Sequence, residues 1–290
     1  MIRLLSAPLS PLLLVATCLA AVMTAVLTDS RTAAAEAASP WSDSMRSRVR
    51  LLAGLPDGKT KTLRAGVEID LQDGWKTYWR YPGDSGVPPH FDFSRSDNVA
   101  TVEVLWPAPY RFVDGGGTSI GYQRNVVFPI RVMPRDSGKP VTLRLSLDYA
   151  VCEKLCVPEQ AKVEWPVNGD STQDARLQAA EAQVPTKAAV GEPGPVSVRA
   201  VRELSGAHGM RVVVEVAAPA VDRADVFAEG PTSNWALPLP TPEPDKADGI
   251  RRFAFDIDGV PSGASSKGAA LTLTVVAGDR AIEVPTRLAR

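Results

Sequence analysis

The chain has 290 residues, with 32 basic and 33 acidic side chains and a formal net charge of −1. Nothing in that balance invites nucleic acid or an anionic membrane surface, so neither is expected as a partner. Its two histidines, His90 and His208, lie far apart in sequence, which excludes a multi-histidine metal site and argues against a Cys/His catalytic pair, and no cofactor is expected.

At the amino terminus Arg3 precedes an apolar run from Leu12 to Leu27, followed by small residues from Ala33 to Ala38. This is the layout of a secretory signal peptide over residues 1–37, with cleavage expected between Ala35 and Ala38. If left uncleaved, the stretch from Ala7 to Leu27 is just long enough to span a bilayer and would be the chain's only membrane contact. In either case the remainder lies outside the cytoplasm. Cys18 falls inside the apolar run and belongs to the signal.

The rest of the chain reads as β structure. Strands are expected at Val49–Leu52, Leu63–Leu71, Thr77–Tyr81, Val99–Trp106 and Val126–Val132, separated by Gly, Pro, Asp and Ser clusters. The clearest is Val141–Val151, where Val141, Leu143, Leu145, Leu147, Tyr149 and Val151 alternate with more polar residues, the period of a half-buried strand. Val163, Trp165 and Val167 continue the alternation after Pro158, giving a hairpin with its tip between about Cys152 and Gln160. Short strands with frequent turns over residues 45–168 predict an antiparallel sandwich.

A short helix is expected over Thr172–Gln183, and Val184–Pro195, rich in Pro, Ala and Gly, completes a boundary at 169–194. The β pattern resumes at Val196–Val201, Arg211–Val216, Asp225–Ala228, Arg252–Ile257, Leu271–Val276 and Ile282–Leu288. Residues 195–290 therefore read as a second sandwich with no clustered acid, base or nucleophile, and Pro238–Asp248 as a long surface loop. The fold class is all-β, with two sandwiches in tandem after a signal peptide.

Cys152 and Cys156 are the only cysteines beyond the signal. An even number in an exported chain makes a Cys152 to Cys156 disulfide the default state. Closing so short a loop stabilises by only about 2 kcal/mol before strain is counted, so an exchange role suits this pair better than stapling. Lys154 would favour a thiolate while Glu153 and Glu159 oppose it. Two thiolates four positions apart would also suit copper(I), although no methionine or histidine lies close enough in sequence to complete a site. A third possibility is a non-catalytic interaction module with a structural disulfide, using the aromatic group Trp75, Tyr78, Trp79 and Tyr81 as a recognition surface. Core filling by alternate residues of one strand is the plainer expectation for those rings. Gly115, Gly116 and Gly117 lack the lysine and the strand-to-helix context of a phosphate loop.

Several motifs follow one another in order. They are Gly74-Trp75-Lys76-Thr77-Tyr78-Trp79-Arg80, Pro82-Gly83-Asp84-Ser85-Gly86, Trp106-Pro107-Ala108-Pro109, Gly121-Tyr122, Phe128-Pro129, and the Cys152 to Cys156 segment closing in Val157-Pro158. This series resembles the amino-terminal periplasmic domain of DsbD-type disulfide reductases, with a layout similar to the ScsB-like, copper-tolerance-associated members. The resemblance implies an immunoglobulin-like sandwich in the periplasm, with Cys152 and Cys156 as the redox pair. It also implies a capping loop at Asp114, Gly115, Gly116, Gly117 and Thr118, and thioredoxin-like periplasmic or membrane reductase domains as partners through mixed disulfides. The family's best-known member spaces its cysteines more widely. Complete reductases also carry a polytopic membrane segment and a thioredoxin-like domain that these residues do not include. The expectation is therefore that a separate membrane reductase supplies the electrons.

Overall fold

A computed structural model describes residues 38–289 except 57, 59–60, 84–85, 115–116, 168–171, 207–208, 221 and 246–248. The expected signal segment lies outside the described residues, as do Gly115, Gly116 and His208. Among the described residues no helix is long and apolar enough to cross a membrane.

The strands up to the cysteine pair are β1 (Ser42–Asp43), β2 (Ser47–Ala53), β3 (Leu63–Leu71), β4 (Lys76–Gly83), β5 (His90–Asp92) and β6 (Val99–Val104). They continue with β7 (Tyr110–Asp114), β8 (Gly117–Gln123), β9 (Asn125–Pro134), β10 (Val141–Cys152) and β11 (Cys156–Val167). After helix α1 (Asp174–Glu181) come β12 (Thr186–Lys187), β13 (Ser197–Gly206), β14 (Gly209–Ala217) and β15 (Ala224–Glu229). The last are β16 (Thr241–Glu243), β17 (Arg251–Asp256), β18 (Ala270–Ala277) and β19 (Arg280–Arg287).

The first sandwich pairs a sheet ordered β1-β2-β3-β9-β6 with one ordered β11-β10-β4-β8-β7, and β5 also pairs with β10. Val67, Ile69, Phe128 and Ile130 of one sheet and Leu143, Leu145, Leu147 and Ile120 of the other belong to a common buried core. Phe128 sits among edge-on rings, with Tyr122, Phe91 and Trp106 centroids 5.2 to 5.3 Å away. The second sandwich pairs β12-β19-β18-β15 with β13-β14-β17-β16. All ladders are antiparallel except the short β12 to β19 pair, so the all-β tandem architecture is the one the sequence predicts.

Three details differ from the sequence expectation. β11 begins at Cys156 and runs through Pro158, so the hairpin tip is only Glu153–Leu155. Proline is tolerated there because β11 is the edge of its sheet, where a missing N–H breaks no ladder bond. The expected loop at Pro238–Asp248 contains β16, an edge strand that holds Pro242 for the same reason. β7 and β8 form a further hairpin, closed by Asp114↔Gly117.

Helix α1 is shorter than expected and lies on the first sandwich. Its Leu177 is fully buried, and glycines make its socket: a Cβ on Gly54 or Gly66 would lie 2.7 or 2.6 Å from a Leu177 methyl. Arg64 clamps both ends of the helix, reaching Asp174 at 2.6 Å and Glu181 at 2.8 Å.

The two sandwiches meet along β4 and β7. Trp79 packs on Phe227, with ring centroids 5.8 Å apart. Arg80 forks to Glu229 at 2.7 Å and Glu283 at 2.6 Å, and Arg111 holds Asp225 at 2.7 Å. Tyr81 donates its hydroxyl to the Trp235 carbonyl and accepts the Leu237 N–H at 2.6 Å. Burial alone would raise the Glu283 carboxyl, but hydrogen bonds from Lys187 and Arg80 outweigh it and hold the group below its ordinary value of 4.5. A depressed carboxylate contributes stability that is complete above its unfolded pKa and is lost as pH falls through the folded one. The chain should therefore lose stability as pH drops below 4.5, and Glu283→Gln should flatten that dependence. Urea unfolding followed by tryptophan fluorescence across pH 3 to 7 checks both.

Candidate functional site

β10 and β11 pair in unbroken register down to Val151↔Val157 and Cys152↔Cys156, which places the two sulfurs on the last rung before the tip. They form a disulfide, with Cα atoms 4.2 Å apart. Both cysteines belong to one hairpin, yet their surroundings differ. Cys152 is 3% exposed and clusters with Tyr78 and Ala150, while Cys156 is exposed beside Leu155, itself 78% exposed. The difference follows from position, because β10 lies inside the sheet and β11 at its edge.

Strand β4 runs beside β10, pairing Cys152↔Lys76 and Val151↔Thr77. The Thr77 hydroxyl donates to the Ala150 carbonyl at 2.9 Å and ties the strand down beneath the cysteine. Tyr78 is 2% exposed, and its hydroxyl lies 2.7 Å from Cys152 Sγ and 3.0 Å from Cys156 Sγ. Its ring is covered in turn by Gly86, where a Cβ would fall 2.6 Å from Tyr78 Cδ1. Any side chain at position 86 would push the ring away. Thus the group in contact with both sulfurs is a phenol held by β4 below and by the backbone near Gly86 above.

The expected capping residues Asp114, Gly117 and Thr118 lie on the β7–β8 hairpin next to β4. That hairpin reaches the cysteine side through Phe112, over whose ring the Lys76 ammonium sits at 5.5 Å. Of the four aromatics expected to fill the core, Trp79 and Tyr81 belong to it and Trp75 packs against it, while Tyr78 clusters with Ala150 and Cys152. Trp75 carries the Arg46 guanidinium at 5.3 Å, Tyr78 meets the disulfide, and Trp79 and Tyr81 face the second sandwich, because both sides of β4 are buried. Among the described residues no group of three or more His, Cys, Asp or Glu side chains is arranged to hold a metal ion. Sequence reasoning missed Tyr78 as a sulfur ligand of the hydrogen-bonding kind. It lies 74 residues from Cys152, and no local pattern brings the two together.

Residues 50–168 match the family model described as the N-terminal domain of the thiol:disulfide interchange protein DsbD. No curated protein matches the chain. Among solved structures, the N-terminal periplasmic domain of ScsB from Proteus mirabilis is similar in fold, with a TM-score of 0.68 at 22% identity. That similarity covers 88% of this chain and 99% of the other, so it spans both sandwiches. With its cysteine pair closing the β10–β11 hairpin, the first sandwich is the part of the chain that matches the DsbD amino-terminal family.

Proposed function

We propose that the chain is a periplasmic thiol-disulfide exchange protein that relays electrons through Cys152 and Cys156 between a membrane reductase and periplasmic partners. The observation that carries this is the asymmetry of the pair: one sulfur exposed, the other buried against a phenol that touches both. A staple would need neither feature.

In the reductive half, a partner thiolate attacks Cys156 Sγ along the exposed side. The Cys156–Cys152 bond breaks, a mixed disulfide forms on Cys156, and Cys152 leaves as a thiolate. A thiolate at so buried a position is costly unless a donor meets it, and the Tyr78 hydroxyl is within reach. The partner's second thiol then resolves the mixed disulfide, leaving two reduced cysteines. In the oxidative half, the Cys156 thiolate attacks a partner disulfide and Cys152 closes back onto Cys156, passing on two electrons. The capping role expected of Asp114, Gly115, Gly116, Gly117 and Thr118 belongs to the same proposal, with Phe112 linking that hairpin to the strand beside Cys152. Exposed Leu155 next to the reactive sulfur suits docking of a thioredoxin-like partner.

The deciding measurement is the reduction potential of the pair, by thiol trapping in glutathione or dithiothreitol buffers. A value above about −300 mV is expected, within reach of thioredoxin-like donors. A much lower one would make the bond a staple and leave the chain an interaction module.

A further inference from the structure

The backbone that follows Tyr78 departs from its own sheet. The β4 to β8 ladder runs through Lys76↔Gln123, Thr77↔Tyr122 and Tyr78↔Gly121, then skips to Gly83↔Ser119. Across that gap the side chains are held by the second sandwich. Trp79 stacks on Phe227, Arg80 forks to Glu229 and Glu283, and the Tyr81 hydroxyl bridges Trp235 and Leu237. The chain then turns at Gly83, where φ is 85° and a Cβ would lie 2.7 Å from the Thr118 carbonyl oxygen. Gly86 lies against the Tyr78 ring, where a Cβ would fall 2.6 Å from Cδ1. The phenol on the disulfide therefore has ladder bonds on one side and anchors from another sandwich on the other.

We infer that the second sandwich is a positioning element for the redox site. Arg80 and Tyr81 are positioning residues that hold the Tyr78 hydroxyl on the two sulfurs through β4 and so set how fast the disulfide opens. The inference rests on the exchange function proposed above and assigns part of its rate to a sandwich that carries no cysteine. The coupling needs no long pathway, because the anchors are the residues immediately after Tyr78.

The test is a double-mutant cycle on the full chain, reading the second-order rate constant for reduction by dithiothreitol at pH 7. Arg80→Gln and Tyr81→Phe should each slow reduction about fivefold, and Tyr78→Phe about tenfold. In the Tyr78→Phe background the interface substitutions should have no further effect, since the hydroxyl they position is gone. Tyr81→Phe keeps the ring and its packing, so the cycle stands even where Arg80→Gln does not fold. Interface variants that react at the wild-type rate would overturn the inference, as would variants that keep their full effect beside Tyr78→Phe, and either result would leave the exchange function standing. A wild-type disulfide inert to dithiothreitol would overturn both.

Discussion

Cys152→Ser should accumulate disulfide-linked partners through Cys156, whereas Cys156→Ser should capture essentially none. Removing Cys152 takes away the thiol that resolves the mixed disulfide, and the adduct on Cys156 persists. The converse variant leaves only Cys152, which is 3% exposed and sits behind Tyr78 and Ala150. An incoming disulfide must approach in line with the attacking sulfur, and that line is open at the edge strand and closed inside the sheet. Serine is close to cysteine in size, so neither substitution should disturb the rung. Non-reducing electrophoresis of periplasmic extracts, with the adducts identified by mass spectrometry, reads the outcome. Capture by Cys156→Ser in place of Cys152→Ser would reverse the order of attack, and capture by neither would remove the partner relay from the proposal.

Alternation was clearest along Val141–Val151, but strands buried on both faces were legible as well: Leu63–Leu71 and Thr77–Tyr81, expected from β-rich runs bounded by turn residues, are β3 and β4. Along β10, Val141 to Tyr149 alternates because every second side chain enters the sandwich core while those between are half-buried or exposed, so period two survives in the sequence. β4 was expected over Thr77–Tyr81 without any such alternation, and what stayed hidden is what its side chains meet. Its burial pattern runs through Lys76, Thr77, Tyr78 and Trp79 without a break, because Tyr78 meets the disulfide while Trp79, Arg80 and Tyr81 after it all meet the second sandwich. A strand buried on both faces carries no alternation to read. The interface itself was invisible for a different reason. Arg80 finds Glu229 and Glu283 across 149 and 203 residues, and charges so distant in sequence look like ordinary surface residues. The cysteine pair was legible because count, compartment and spacing all bear on it. Its asymmetry was not, because only the sheet order reveals that β10 is internal and β11 an edge.

Replacing Trp79 by alanine should destabilise the protein by about 3 to 5 kcal/mol, the range for large aromatic to alanine changes in a core. The ring is 1% exposed, packs on Phe227 at 5.8 Å with planes tilted by 57°, and has the Arg80 guanidinium 4.7 Å from its centroid. Its Nε1 has no hydrogen-bond partner among the described residues, so the loss is one of packing and cavity formation. Arg80 suffers with it, since a guanidinium that loses its aromatic neighbour keeps its carboxylates but gains a void beside them. Trp79→Phe should cost distinctly less, because the smaller ring keeps a contact with Phe227. Urea unfolding with the disulfide intact measures both variants. A loss below about 1 kcal/mol for Trp79→Ala would place the residue outside the range of core substitutions. If partner capture also fell, the strand would be a recognition surface and the second sandwich would no longer be held by it.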